Sequence, residues 1–472
     1  MEGSGGPSGM LALVLHSHMP YVEGFGTYPF GEEWLFDAIL RSYLPVLEVA
    51  ERLTMTVTPV LADQLEAPGL SGRLRTFGEE YRLGSCLIDA SEQDGDFRGP
   101  CLAEADRYRR GLAHLEKTGG PLGAFQEARR DGRVSLMTSS ATHAVLPLLA
   151  TDAGRNLQLD AGLRSHRRRF GEPAGLWLPE CAYVPGLEEL AARHGFSHFC
   201  VDQSAHEAPV AALRPIATEA GPVAFPIDWE AVSWLWSLDG YPSDSVHTDF
   251  HRESLRGARV WSIGGEIRDP EAGAERAREQ AREFLAATAD RLAAHRERTG
   301  SDGLCVFAID TELLGHWWWE GPDWLAELVR AADAHGVELV TLEDAIDRVK
   351  PQEGRKLARS SWGEHKDLST WDSPEVSDLT WGARRLELRL LREIASGRRG
   401  LVRAERAARE LMALQASDWA FLDKRRQAGD YPYERVTDHA RDMLDAIHSS
   451  PAPAPSLRNL APDLSLASLT AT

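Results

Sequence analysis

An α/β protein built on a closed barrel of parallel strands is the fold class the sequence predicts, and three observations predict it. Seven short apolar runs recur over residues 1–350, each ending in a polar or ionisable residue. Helical patterns separate the runs, which implies a parallel sheet with its helices outside it. No GxGxxG turn follows the first run, as a doubly wound, dinucleotide-type sheet would require. A closed barrel carries its chemistry at the C-terminal ends of its strands, so the residues that end the runs are the candidates for a site.

The first run, Met10–Leu15, leads straight into His16-Ser17-His18-Met19-Pro20. Residues two apart on a strand share a face, so both imidazoles point the same way, and Pro20 stops the ladder. A Gly- and aromatic-rich loop follows, then a helix expected from Trp34 to Leu53. The second run, Met55–Leu61, ends near Asp63. Arg133–Met137 ends in Thr138-Ser139-Ser140 with His143 close behind, and Ala174–Leu178 ends in Pro179-Glu180. Ser197–Val201 ends in Asp202, Gly303–Ile309 in Asp310, and Val337–Val340 in Thr341. Helices are expected at Pro185–His194 and Glu275–Arg298. Residues 203–257 read as an insertion of the kind that forms lids and binding loops, with Trp229, Trp234, Trp236, Tyr241 and Asp244. After Lys350 the pattern becomes helical, at Leu379–Ser396, Leu401–Gln415 and Arg435–His448, and 351–448 is expected as a separate helical domain. The Pro/Ala-rich tail, 449–472, reads as disordered.

The chemistry rests on carboxylates that end two different runs. Asp310 emerges from a run short and β-branched enough to be buried on both faces. Glu312, His316, Trp317, Trp318 and Trp319 come directly after it. A carboxyl beside indoles is placed to protonate something flat, polar and ring-shaped, such as a sugar. Glu180, set by Pro179, supplies the second carboxylate that retaining glycoside cleavage needs. The pair would face each other about 5–5.5 Å apart. His16, His18 and His143 would hold sugar hydroxyls or tune the acid. Two imidazoles on one strand end also fit a metal pair and a metal-dependent deacetylase. The net charge of −20 argues against nucleic acid and anionic membranes but leaves a neutral polysaccharide open. Five scattered cysteines suggest reduced thiols and a cytoplasmic protein.

Three stretches resemble the signature regions of glycoside hydrolase family 57, and within it the 1,4-α-glucan branching enzymes most. They are His16-Ser17-His18-Met19-Pro20-Tyr21, Trp177-Leu178-Pro179-Glu180-Cys181-Ala182-Tyr183 and Asp310-Thr311-Glu312-Leu313-Leu314-Gly315-His316-Trp317-Trp318. Pro29–Trp34, Ala141–His143, Ser360–Glu364 and Gln415–Trp419 extend the likeness over roughly residues 10–445. The resemblance implies a distorted (β/α)7 barrel whose cleft is completed by a C-terminal helical domain. It implies Glu180 as nucleophile, Asp310 as general acid/base, no metal and no cofactor. It puts His16, His143, Trp362, Asp418 and Trp419 along the substrate cleft. His18, Trp34, Tyr241, Asp244, His316 and Trp317 are further expected contacts to an α-glucan, and a monomer or weak oligomer is expected. The family's branching enzymes shield the intermediate with a long, tyrosine-tipped loop after the fifth strand. The corresponding stretch here, 203–225, is short and has no tyrosine, which favours hydrolysis as the alternative activity. A non-catalytic glucan-binding protein is the alternative of another class.

Overall fold

The computed structural model describes residues 9–22, 26, 30–92, 97–205, 213–397, 400–448 and 459–469. Strand β1 (Gly9–Ser17) is the central stave, and all nine of its residues are buried. That is why its sequence is continuously apolar rather than alternating. It pairs in parallel with β2 (Leu53–Val57) over its C-terminal half and with β7 (Leu304–Asp310) from Met10 to His16. The ladder with β7 sets His16 beside Asp310, so two of the expected site residues are neighbours by register. β2 pairs with β3 (Val134–Met137), and β4 (His198–Asp202) pairs with β6 (Val223–Ile227). Residues 174–177 join the two sheets. The Thr138 N–H donates to the Gly175 carbonyl at 3.1 Å, and the Leu176 N–H donates to the His198 carbonyl at 2.9 Å. The ring closes where the Asp228 N–H reaches the Val306 carbonyl at 2.8 Å. The result is an α/β barrel of seven parallel staves.

Its membership differs from the expected set at one position. Val337–Leu339 (β8) is not a full stave, since it pairs only with Gly9–Leu11 and wedges in beside the lower half of β1. The seventh stave is β6, inside the stretch expected to be an insertion. Pro226 disguises it, because a proline removes one ladder donor and normally marks an edge. The insertion proper therefore begins after Asp228, with the helix Trp229–Trp236. Strand β5 (Ile216–Ala217) runs antiparallel to β6. The helix expected from Trp34 to Leu53 is three pieces, Glu32–Ala38, a π-helical turn Ile39–Tyr43, and Leu44–Val49.

Helices Ser377–Ala395, Leu401–Leu414, Ser417–Arg425 and Tyr431–His448 form the C-terminal region. Their core includes Leu411, Met412, Trp419 and Met443, and it takes in Tyr21, Val60, Leu157 and Ala161 from the barrel side. The shared core holds Ser417 and Asp418 against the strand ends. The tail is not disordered throughout. Leu460 and Ala461 are buried in this same core, and the Ala461 N–H donates to the Asp63 carboxylate at 2.7 Å. Two short apolar side chains suffice there because a buried acceptor waits for their backbone. Residues 449–458 and 470–472 lie outside the described ones.

Candidate active site

Glu180 sits on a tight turn just after the Leu176 stave. Its backbone is left-handed, φ 60° and ψ 22°, and Cys181 follows at φ 48°. A non-glycine residue in this region stores strain that surrounding contacts must hold. The holding contacts come from the segment that begins at Ser360. The Trp362 N–H donates to the Glu180 carbonyl at 3.0 Å, and its indole Nε1–H donates to Glu180 Oε2 at 2.9 Å. His143, also left-handed at φ 59°, brings Nδ1 to 3.6 Å from Glu180 Oε1 and to 2.8 Å from the Ser417 hydroxyl. Burial raises the Glu180 pKa, while the hydrogen bonds from Trp362 and Ser417 act to keep it ionised.

Asp310 stands at the end of β7 in a different field. Burial pushes its pKa well above the usual carboxylate range, and the negative charges of Glu312 and Glu180 push it the same way. Both carboxyls are raised, but Asp310 much further, and only Glu180 has hydrogen-bond donors that oppose the rise.

Three imidazoles stack beside them. His16 and His143 share a hydrogen bond, Nε2 to Nε2, at 3.1 Å, and His18 stacks on His143 with ring centroids 4.1 Å apart. Burial and then the charge of His18 hold both His16 and His143 neutral. His18 is the member whose protonation its surroundings favour. Burial opposes its protonation, but Asp418, at 3.0 Å from Nε2, together with Glu312 and Glu180, raises its pKa. The apolar wall is Trp177, stacked on His16 at 4.6 Å, with Trp362 edge-on to it at 5.1 Å.

The structure thus brings Glu180, Asp310, His16, His18, His143, Trp362 and Asp418 together. The other expected residues lie elsewhere. Trp419 is 1% exposed, and its indole N–H donates to the Ala413 carbonyl at 2.8 Å, so it is core of the helical region rather than cleft wall. The preceding Asp418 and Ser417 reach the site instead, because successive residues of a helix face different ways. Tyr241 and Asp244 line a separate depression of about 520 Å³ between the helices Trp229–Trp236 and Pro270–Thr299, where Asp244 pairs with Arg276 at 2.9 Å. His316 is buried against Phe250 and near Arg41 and Asp37. Trp317 is half-exposed on Phe250, and Trp34 packs half-buried on the barrel core beside Phe30. The expected wall of indoles after Asp310 does not form at the carboxylates. Trp318 and Trp324 are core, and Trp319 is clasped by Arg107 and Arg268. Sequence reading passed over Trp177, Ser417, Tyr43 and Thr58, the last of which bonds His18 Nδ1 at 3.0 Å. Trp177 and Ser417 stand inside the quoted motifs, whereas nothing local marks Tyr43.

Ligand atoms of His18, His143 and Asp418 come within 4.8 Å of one another, the one such grouping among the described residues. Each already has hydrogen-bond partners: Thr58 and Asp418 on His18, Ser417 and His16 on His143. Outside the grouping itself, Thr58 takes His18 Nδ1 and Ser417 and His16 take both nitrogens of His143, and no metal ligand is assigned.

The placement of Trp419 gives a direct expectation. Trp419→Ala should cost about 3–5 kcal/mol of stability, as truncation of a core indole does, with near-normal specific activity in the folded fraction. Thermal melts and rates measured on the same preparation check it.

A barrel with two carboxyls in different electrostatic settings at its strand ends is an arrangement suited to a carbohydrate-active enzyme. The chain belongs to glycosyl hydrolase family 57, whose family model matches residues 12–357, and a second model, the C-terminal domain of 1,4-alpha-glucan branching enzymes, matches residues 391–458. It is 33% identical to the 1,4-alpha-glucan branching enzyme TK1436 of Thermococcus kodakarensis, over 92% of this chain and 73% of that protein. It is 32% identical to a probable 1,4-alpha-glucan branching enzyme of Mycobacterium tuberculosis, over 93% of this chain and 92% of that one. Among solved structures, the family 57 branching enzyme of Pyrococcus horikoshii superposes with a TM-score of 0.90 at 28% identity, covering 98% of this chain and 97% of that one. The α-amylase AmyC of Thermotoga maritima shares the fold, with a TM-score of 0.82 at 24% identity over 93% and 92% of the two chains.

Proposed function

We propose that this protein is a retaining 1,4-α-glucan branching enzyme, with Glu180 as nucleophile and Asp310 as general acid and then base. In the first step Asp310 gives its proton to the oxygen of an α-1,4 link while Glu180 attacks the anomeric carbon. The leaving chain departs with a free 4-hydroxyl, and a covalent glycosyl–Glu180 remains. In the second step Asp310, now ionised, takes the proton from a 6-hydroxyl of an acceptor chain. That oxygen displaces Glu180 and forms the α-1,6 branch with net retention. Trp362, partly exposed beside Glu180, offers an apolar face on which a sugar ring stacks, with the buried Trp177 packed behind it. The observation that carries this reading is the contrast between the two carboxyls: Glu180 held by N–H and O–H donors, Asp310 buried beside two negative charges.

A second reading, hydrolysis on the same site, is favoured by the short segment between β4 and β6, since water competes for the intermediate where a lid is small. Residues 206–212 of that segment lie outside the described ones. Incubation with amylose separates the readings. Branching accumulates α-1,6 links with little gain in reducing ends, and hydrolysis does the reverse. Absence of both products in folded protein would leave the glucan-binding reading. No helix among the described residues is long and apolar enough to cross a membrane. With the acidic surface, this fits a soluble enzyme of neutral glucan in the cytoplasm, monomeric or weakly associated.

A further inference from the structure

The turn after β7 carries a buried carboxylate that neither catalytic step uses. Glu312 lies two residues beyond Asp310 in the short turn Thr311–Leu313 and is 7% exposed. Its Oε1 accepts a hydrogen bond from the Tyr43 hydroxyl and another, at 3.0 Å, from the His18 backbone N–H. Two separate elements, the π-helical turn and the end of β1, converge to hold this one group. Tyr43 ends the π-helical turn Ile39–Tyr43, and π turns break the α-helical phase of side chains, often at functional sites. The same turn grips the loop through Ser42, whose hydroxyl donates to the Thr311 carbonyl at 2.8 Å. Ser17, from the end of β1, bonds the Thr311 hydroxyl at 2.8 Å. The two backbones also approach closely. A Cβ on Gly315, at φ 98°, would lie 2.0 Å from the Arg41 carbonyl oxygen, so only glycine fits there.

A glutamine would accept the same two hydrogen bonds and would avoid the penalty of burying a charge. What an acid adds at this position is charge. We propose that Glu312 is a positioning residue for Asp310, a second carboxylate fixed beside the acid so that Asp310 keeps its proton in the alkaline half of the working range. The proposal rests on the reading of Asp310 as the general acid.

The surrounding groups support it. Around Asp310 stand Glu312 on its own turn, Glu180 from the adjacent stave, Asp418 from the helical region and His18 from the end of β1. After burial, Glu312 is the largest contributor to the rise in the Asp310 pKa, Glu180 and Asp418 add to it, and His18 opposes it. The Cys181 thiol and the Tyr43 hydroxyl, both raised by burial, stay neutral beside them, as does His16. Glu312 itself is pushed up to about 7, by burial against the pull of Tyr43 and the His18 amide. Above that pH it is ionised, and its charge then resists ionisation of Asp310. Removing the charge lowers the Asp310 pKa, so the alkaline limb of activity moves to lower pH.

The test is the pH profile of kcat/KM on amylose for the wild type, Glu312→Gln and Tyr43→Phe. For Glu312→Gln the alkaline limb is expected to fall by at least about one pH unit, roughly a tenfold loss at fixed alkaline pH, as for any pair of carboxyls coupled this closely. The acid-side plateau should change far less. Tyr43→Phe, which loosens the carboxylate without removing it, should shift the limb the same way by a smaller amount. A uniform loss across pH with the limb unmoved would make Glu312 a purely structural residue and overturn the proposal. Should Glu312→Gln fail to fold, an unmoved limb in folded Tyr43→Phe overturns it equally. An aryl maltooligoside whose leaving group departs without a proton isolates the underlying assumption. The wild-type alkaline limb should vanish on that substrate, and if it persists the acid role of Asp310 fails whatever Glu312 does.

Discussion

Replacing Glu180 by glutamine should abolish turnover of amylose, lowering kcat by about 10⁵-fold, the range seen when a catalytic nucleophile is removed. Glutamine keeps the size and shape of the side chain. Its amide oxygen still accepts the Trp362 indole N–H, so the strained turn at φ 60° keeps its support and the melting temperature should stay within a few degrees. What is lost is the group that forms a bond to the anomeric carbon. A slow substrate that traps the glycosyl–enzyme should label the wild-type peptide containing Glu180, and mass spectrometry locates the label. Activity above about 1% in folded Glu180→Gln, or a label on another residue, would remove Glu180 from this role.

Asp310→Asn should cost about 10²–10⁴-fold on amylose, the usual worth of a general acid, and far less on an activated aryl glycoside. Its effect on stability runs the other way. The folded-state pKa of Asp310 lies well above its unfolded value, so the wild-type carboxyl contributes most to stability below the unfolded pKa. That contribution is lost as pH rises towards the folded pKa, because only the unfolded chain gains from ionising. A neutral asparagine escapes this loss. The variant should therefore melt higher than the wild type above about pH 5, by a margin that grows with pH. An inactive enzyme that gains stability is the signature of a group kept in an unfavourable setting for its chemistry. Equal melting temperatures at pH 5 and pH 8 would mean that Asp310 is not held protonated by its surroundings.

Much of this protein was legible along the chain. Runs such as Met10–Leu15 and Leu304–Ile309 are apolar throughout because both faces of a barrel stave are buried, and burial writes itself into local composition. The residues that end those runs had to lie at the same barrel face, which singled out Glu180, Asp310 and the histidines before any contact was known. Where a residue's environment is set by distant chain, local reading failed. Val223–Ile227 looks like an insertion because of Pro226, yet β4 and β7 on either side make it a stave. Trp362 and Trp419 are both indoles in quoted motifs. The fold sends one, on a loop, to Glu180 and the other, on a helix, into a helical core, a choice made by which distant partners each segment meets.

The electrostatics of the site belong wholly to the tertiary structure. No spacing in the sequence shows that Tyr43, 269 residues from Glu312, reaches that carboxylate through a π turn, or that Ser417 crosses 274 residues to His143. Hydrogen bonds and charge coupling act through space over a few ångströms, whereas a sequence records only neighbours along the chain. The sequence by itself therefore singled out the candidate groups and the end of the barrel at which they lie. That Asp310 is pushed further above the usual carboxylate range than Glu180 was decided only when folding buried it near Glu312 and Glu180 and turned Trp362 and Ser417 towards Glu180.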